Sequence, residues 1–195
     1  MNTPNILTLI RVILAPVFML LFLVDDLYMR LIALGLFVVA ALTDLADGWY
    51  ARKYGVITGF GKFLDPLADK ILVSSALISF VALGYTSAVP VILIVGREFF
   101  ITGLRLLGAS KGVAIPSTAL AKFKTFLQMA VVGLVMTYIC VLTAMHQSDP
   151  GGAAELRLDL DVWASWLIWI TAAVTVWTGI DYVMKYLYMI KSVLR

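Results

Sequence analysis

Hydrophobic and polar residues follow one another along this chain in long blocks. Six apolar blocks are separated by short polar breaks that contain Gly, Asp, Ser and Pro, the residues that commonly form turns. A helix rises 1.5 Å per residue, so about 20 residues cross a hydrocarbon core of about 30 Å. Each block is long enough, and the pattern predicts six transmembrane helices. The blocks cover residues 5–24, 31–52, 61–84, 88–109, 120–145 and 162–190.

Composition favours lipid as the environment of these helices. The 195 residues are 62% hydrophobic and 14% charged, outside the usual range for soluble domains. We therefore expect an all-α integral membrane fold with a single domain over residues 1–195. The net charge of +3 does not indicate nucleic acid, because the basic residues are spread over short loops and form no separate basic domain. Anionic lipid headgroups are the better partner.

The distribution of basic residues predicts the orientation of the helices. Cytoplasmic loops of membrane proteins collect Lys and Arg. If the N-terminus lies in the cytoplasm, the outer loops contain only Arg30 and Arg157, and most other basic residues fall on the inner side. Both termini are therefore predicted to be cytoplasmic.

Four aspartates lie within 26 residues of this apolar sequence. They are Asp44, Asp47, Asp65 and Asp69. An aspartate at the centre of a membrane helix costs about 2.5 to 3.5 kcal/mol, so a group of four requires a function. The spacing of each pair places its members on one face of a helix, and a short glycine-containing link makes helices two and three antiparallel neighbours. We expect the four carboxylates to converge on one volume at the cytoplasmic end.

Carboxylates this close together require cations between them or raised pKa values. Four hard oxygen ligands favour Mg²⁺, Mn²⁺ or Ca²⁺, and the absence of a His or Cys cluster argues against zinc. Two divalent cations balance four carboxylates, as in many phosphoryl-transfer sites. Gly48, Ala51 and Gly61 leave room for a substrate, and Arg52 is placed to bind a phosphate oxygen.

Two other interpretations of the aspartates fit the sequence less well. Carboxylates at a membrane boundary can simply face water, but that does not explain two spaced pairs together with glycines and an arginine. A divalent cation transporter needs acidic residues at successive depths, whereas these cluster at one end.

The residues from Asp44 to Asp69 resemble the signature of the CDP-alcohol phosphotransferases. That pattern is D-x-x-D-G-x-x-A-R, eight residues, then G-x-x-x-D-x-x-x-D, and every position is filled here. The resemblance implies a six-helix membrane enzyme, usually a homodimer, that transfers a phosphatidyl group from a CDP-linked lipid to an alcohol and releases CMP. It further implies that the four aspartates bind two divalent cations, Mg²⁺ or Mn²⁺, and that Asp69 is the catalytic base. The CDP-lipid site would then comprise Asp44, Asp47, Gly48, Ala51, Arg52, Gly61 and Asp65.

Three segments outside the signature resemble the bacterial phosphatidylglycerophosphate synthases within this family. They begin at Pro4, Gly96 and Ala121. The resemblance implies CDP-diacylglycerol and glycerol 3-phosphate as substrates and the bacterial inner membrane as the location. A phosphate-bearing acceptor requires a cationic pocket. The candidates are Arg97, Arg105, Lys122 and Lys124, with Thr8 at the start of helix one.

The acceptor assignment has open alternatives. Arg105, Lys122 and Lys124 are also in the right places to be ordinary cytoplasmic anchors of their helices. Arg97 is equally able to form an intramembrane ion pair with Glu98 or Asp181. Sibling enzymes that share the signature use inositol phosphate, serine or phosphatidylglycerol as acceptor.

Overall fold

Six long helices contain most of the residues that the structure describes. A computed structural model describes residues 3–54, 59–113, 116, 119–148 and 150–189, and their side chains at 9–43, 66–68, 70–113, 116, 120, 123–148 and 161–189. The helices are α1 Thr3–Leu23, α2 Leu27–Tyr54, α3 Gly59–Ala82, α4 Ala88–Ser110, α5 Ala119–Ser148 and α6 Pro150–Lys185. The all-α prediction is confirmed.

Two glycines end helices as the turn pattern predicts. Gly84 and Gly112 have positive φ angles of 83° and 76° directly after α3 and α4. The amide after each glycine bonds to a carbonyl five residues earlier, Tyr85 to Phe80 at 2.9 Å and Val113 to Gly108 at 2.8 Å. This is the Schellman arrangement, which provides hydrogen-bond donors for the last helical carbonyls. It favours glycine because the residue at this position adopts a left-handed backbone conformation.

The start of α6 differs from the hydropathy prediction. The helix begins at Pro150 rather than at residue 162, so the segment predicted as an outer loop is mostly helical. Proline suits the first helical position, and residues 153–160 are mostly strong helix formers despite their charges. With 36 residues, α6 is about 54 Å long, so its first turns extend beyond its apolar part.

The helices contact one another in a closed ring. Following the ring from α1, the order is α2, α5, α6, α4 and α3, and α3 packs again on α1. The residues described in α2 and α3 make few direct contacts with each other, and α1 packs against both.

Small and aromatic residues fill the interior of this bundle. Alanines at helix contacts allow close approach, and an aromatic group fills the space between α1, α2 and α3. Phe18 lies 5.8 Å from Phe37, and Phe22 lies 6.2 Å from Phe80, measured between ring centroids. All four phenylalanines are buried.

Apolar side chains also cover the outside of the bundle. Among the described residues, Phe123–Ser148 and Asp161–Lys185 are long and apolar enough to cross a membrane, and Leu9–Leu23 and Leu27–Thr43 are shorter apolar segments. Exposed side chains include Leu20, Ile92, Phe126, Leu134 and Trp177. Apolar exposure on this scale is typical of a surface that faces lipid.

Candidate active site

The four signature aspartates lie on consecutive helices at one end of the bundle. Asp44 and Asp47 belong to the last three turns of α2, and Asp65 and Asp69 belong to the first three turns of α3. Only residues 55–58 separate the two helices, so both pairs lie near the same link. Their convergence on one volume stays a prediction, because their side chains lie outside the described part. The same holds for Gly48, Ala51, Arg52 and Gly61.

The donor chemistry of this region fits divalent cations. Four carboxylates offer only hard oxygen ligands, which suit Mg²⁺ and Mn²⁺. Elsewhere, among the side chains that the structure describes, no three His, Cys, Asp or Glu residues come together as metal ligands. The prediction of a metal site in the aspartate region rests on the chemistry of its carboxylates.

Three cations from three helices surround one carboxylate on α4. Glu98 on α4 is 4% exposed. Its Oε2 lies 2.5 Å from Nζ of Lys70, and its Oε1 accepts hydrogen bonds from Nη1 of Arg97 at 3.0 Å and from Nζ of Lys124. We call these four residues the Glu98 cluster. Lys70 follows Asp69 directly on α3, so the cluster lies beside the fourth aspartate.

Besides its contact with Glu98, the Arg97 side chain packs against helix α6. Nη2 of Arg97 donates a hydrogen bond to Oγ1 of Thr178 at 3.3 Å. The arginine passes directly over Gly179, where an added Cβ would lie 2.9 Å from Cγ and 3.0 Å from Nε of Arg97. Real Cβ atoms do not approach other atoms so closely, so the path of Arg97 depends on glycine at this position. Its Nε is buried without a hydrogen-bond partner.

The predicted acceptor residues separate into two groups. Arg97 and Lys124 meet at Glu98, and Lys124 is 1% exposed. A lysine that anchors a helix at the membrane surface reaches water, so burial argues against that interpretation for Lys124. Arg105 is exposed, two turns further along α4, and is not part of the cluster. The side chains of Lys122 and Thr8 lie outside the described part.

One alternative predicted for Arg97, an ion pair with Glu98, is present in the structure. Glu98 alone does not neutralise the charge of the cluster, because its one carboxylate is shared by three cations in the described part. Arginine has five donors and lysine three, and the bonds given for Arg97 and Lys124 within the described part use only some of them. Cations removed from water are costly unless anions accompany them, which makes the cluster a suitable phosphate site.

The contributions of three residues around this site were not predicted from the sequence. Lys70 and Thr178 were not identified as site residues, and Glu98 was not predicted to be a shared partner of several cations. Two signals were present: Glu98 is an acidic residue inside an apolar block, and Lys70 follows the last aspartate of the signature. Thr178 gave no such signal, because hydroxyl residues commonly bond to their own helix, as Thr178 also does.

Cavities on the two sides of the bundle differ in chemistry. A cavity of about 20 Å³, enough for one water, adjoins Glu98, and its lining combines polar residues, among them Lys70, Ser74 and Gln128, with apolar ones such as Ile94 and Met129. Another cavity, of about 790 Å³, lies at the other end of the helices between the α3–α4 loop and α6. Its lining includes Trp166 and Trp169, which match the interfacial aromatic belt expected at a membrane boundary.

Comparison with known proteins identifies the family. The family model for CDP-alcohol phosphatidyltransferases matches residues 1–177. A CDP-diacylglycerol–glycerol-3-phosphate 3-phosphatidyltransferase of Rickettsia typhi is 37% identical over 181 residues, covering 93% of this chain and 94% of that protein. One of the same name from Bacillus subtilis is 43% identical over 149 residues, covering 70% of this chain and 77% of the relative. A probable phosphatidylglycerophosphate synthase of Mycobacterium tuberculosis is 38% identical over 187 residues, covering 94% of this chain and 81% of that protein. This chain belongs to the CDP-alcohol phosphatidyltransferase family.

Proposed function

We propose that this protein transfers the phosphatidyl group of CDP-diacylglycerol to glycerol 3-phosphate, giving phosphatidylglycerophosphate and CMP. Its relatives carry this activity in their names and align with most of the chain. The observation that carries the acceptor assignment is the Glu98 cluster, in which one buried and two partly buried cations meet, one of them Lys70, the residue after the last aspartate of the signature. The reaction belongs to phospholipid biosynthesis.

The donor lipid is assigned to the aspartate region. Asp44, Asp47, Asp65 and Asp69 would hold two divalent cations, Mg²⁺ or Mn²⁺, which when bound neutralise charge on the pyrophosphate. Gly48, Ala51 and Gly61 leave room for the cytidine diphosphate, and Arg52 supplies a cationic donor to a phosphate oxygen. The apolar outer surface of the helices allows the two acyl chains to remain in the membrane.

The acceptor phosphate is assigned to Arg97 and Lys124, with Lys70 beside them. These side chains are held by Glu98 and Thr178 before any ligand binds, so little ordering is needed on binding. The other predicted acceptor residues are Arg105, Lys122 and Thr8. We assign them to the route by which the anion reaches this site. Asp69, one residue before Lys70, accepts the proton of the attacking hydroxyl, and the alcohol displaces CMP directly.

A sibling activity remains the nearest competitor. Serine carries no phosphate, and phosphatidylglycerol carries only a diester, so neither explains a buried group of cations as well as a phosphate monoester does. Inositol phosphate does carry such a group. A cation transporter is not favoured, because the Glu98 cluster places positive charge next to the aspartates.

The membrane arrangement is part of the proposal. Six spans, one domain over residues 1–195 and cytoplasmic termini place both halves of the site at the cytoplasmic face of a bacterial inner membrane. There CDP-diacylglycerol is reached from the bilayer and glycerol 3-phosphate from the cytoplasm. A homodimer is the expected assembly.

The test is CMP release by purified protein in detergent with CDP-diacylglycerol, Mg²⁺ or Mn²⁺, and a panel of labelled acceptors. Glycerol 3-phosphate should give phosphatidylglycerophosphate, while glycerol without its phosphate should react poorly. Reactions without acceptor and without metal are the controls. Turnover with inositol phosphate or serine, but not with glycerol 3-phosphate, would overturn the assignment.

A further inference from the structure

We propose that Glu98 is a positioning residue that holds three cations at one place for the acceptor phosphate. This inference rests on the proposed function, since it concerns the same acceptor site. Glu98 acts through its partners, because its own carboxylate is negative and would repel a phosphate.

The geometry makes Glu98 the shared centre of the cluster. Both of its carboxylate oxygens are used, Oε2 by Lys70 and Oε1 by Arg97 and Lys124. The three cations come from α3, α4 and α5, and Lys124 and Glu98 are almost fully buried. A single side chain therefore fixes the relative positions of cations on three helices.

Loss of this carboxylate would have a specific consequence. Three cations gathered in a poorly solvated space repel one another once their common counter-ion is gone. Each stem is flexible, so the cations would move apart and the free protein would no longer hold them ready for an anion. The effect should fall on the acceptor far more than on the donor lipid, whose site lies on α2 and the start of α3.

Glu98 does not take every hydrogen-bond donor of its partners. Lys124 uses one donor on Glu98, and Arg97 uses one donor there and one on Thr178. Within the described part of the chain, these bonds leave further donors on both side chains, which we propose bind phosphate oxygens while Glu98 stays in place. Glu98 and the acceptor phosphate can thus share the same cations without exchanging places.

Glu98→Gln tests this role, because the amide keeps the size of the side chain and removes its charge. We expect the KM for glycerol 3-phosphate to rise by about tenfold or more, the scale of one lost charge-assisted hydrogen bond. The KM for CDP-diacylglycerol should stay within about twofold. Inhibition by inorganic phosphate should weaken in parallel, since phosphate probes the same cations.

Glu98→Asp and Asp25→Asn complete the series. Aspartate keeps the charge but is one methylene shorter and cannot reach all three cations, so an intermediate KM for glycerol 3-phosphate is expected. Asp25→Asn removes the carboxylate that pairs at 3.0 Å with buried Arg30 near the start of α2, and should leave that KM unchanged. If Glu98→Gln does not accumulate, Glu98→Asp carries the test alone.

Two results would overturn the inference. One is an unchanged KM for glycerol 3-phosphate in Glu98→Gln or, where that variant does not accumulate, in Glu98→Asp. The other is an equal rise in the KM of both substrates together with a lower melting temperature, which indicates a purely structural role. Failure of the wild-type protein to use glycerol 3-phosphate would instead refute the proposed function, so the two failures are distinguishable.

Discussion

Gly179→Ala should weaken acceptor binding by displacing Arg97. In the structure the added Cβ would lie 2.9 Å from Cγ and 3.0 Å from Nε of the arginine. Carbon atoms in favourable contact are about 3.5–4.0 Å apart, so Arg97 has to move by roughly 0.6–1 Å. Its end cannot simply swing away, because Glu98 and Thr178 hold it at 3.0 Å and 3.3 Å.

The size of the effect follows from these contacts. The bond to Thr178 is already long, so a shift of this size breaks it and misaligns the guanidinium. We expect the misaligned guanidinium to lose one charge-assisted hydrogen bond to the acceptor phosphate, at about 1.5–3 kcal/mol, which corresponds to roughly a 10- to 150-fold loss of acceptor affinity. Stability should change less, because an overpacking cost of about 1–3 kcal/mol is offset by about 1 kcal/mol of better helix propensity.

The assay is steady-state CMP release with each substrate varied in turn, together with thermal unfolding in detergent. Gly179→Ala should raise the KM for glycerol 3-phosphate by about tenfold or more and leave the KM for CDP-diacylglycerol unchanged. Gly133→Ala on α5 is the matched control, because a Cβ there meets nothing within 4 Å. A KM for glycerol 3-phosphate within twofold of wild type in Gly179→Ala would refute the reasoning.

Four further predictions follow from the proposed function. Lys124→Ala should raise the KM for glycerol 3-phosphate far more than that for the lipid, and equal effects on both would count against the acceptor site. Asp69→Asn should abolish turnover while the protein still inserts and folds, whereas substantial residual activity would exclude Asp69 as the base. EDTA should stop CMP release and added Mg²⁺ or Mn²⁺ should restore it; activity that survives chelation would contradict the metal assignment. In a Cys140→Ser background, a membrane-impermeant maleimide added to intact cells should label cysteine introduced at Ser148 but not at Lys111, and the reverse pattern would invert the topology.

The helices were largely predictable because their signals are local. Long apolar runs and breaks with glycine determine five of the six helices to within a few residues, and Gly84 and Gly112 end α3 and α4 as expected. The start of α6 was not predictable from hydropathy, since residues 150–160 are charged enough to suggest a loop. Their helix propensity outweighs their polarity, because a helix can continue outside the hydrocarbon core, where water solvates charged side chains.

The two halves of the site differ in how far the sequence reveals them. The aspartates are separated by a short link, so spacing alone assigns them to adjacent helix ends. The acceptor side depends on long-range contacts, with 26 residues between Glu98 and Lys124 and 81 between Arg97 and Thr178. The pattern of basic residues identified Arg97 and Lys124 but also included Arg105, which is exposed and outside the cluster. Only the packing of the helices distinguishes the residues of the cluster from Arg105. All of these basic residues fit the same preference for Lys and Arg on the cytoplasmic side.

Lys70 explains how the two halves can act as one site. It follows Asp69 on α3, with successive Cα atoms about 3.8 Å apart, so the proposed catalytic base and one cation of the Glu98 cluster belong to the same helix. Under the proposed function, an acceptor phosphate at the cluster would lie at a defined distance from Asp69, the residue proposed to take the hydroxyl proton. An alcohol would then be selected both by its phosphate and by the separation between phosphate and hydroxyl. Changes on α4, α5 or α6 can alter phosphate binding without disturbing the aspartates proposed to bind metal. A shift of α3 would alter both phosphate binding and the separation between phosphate and base.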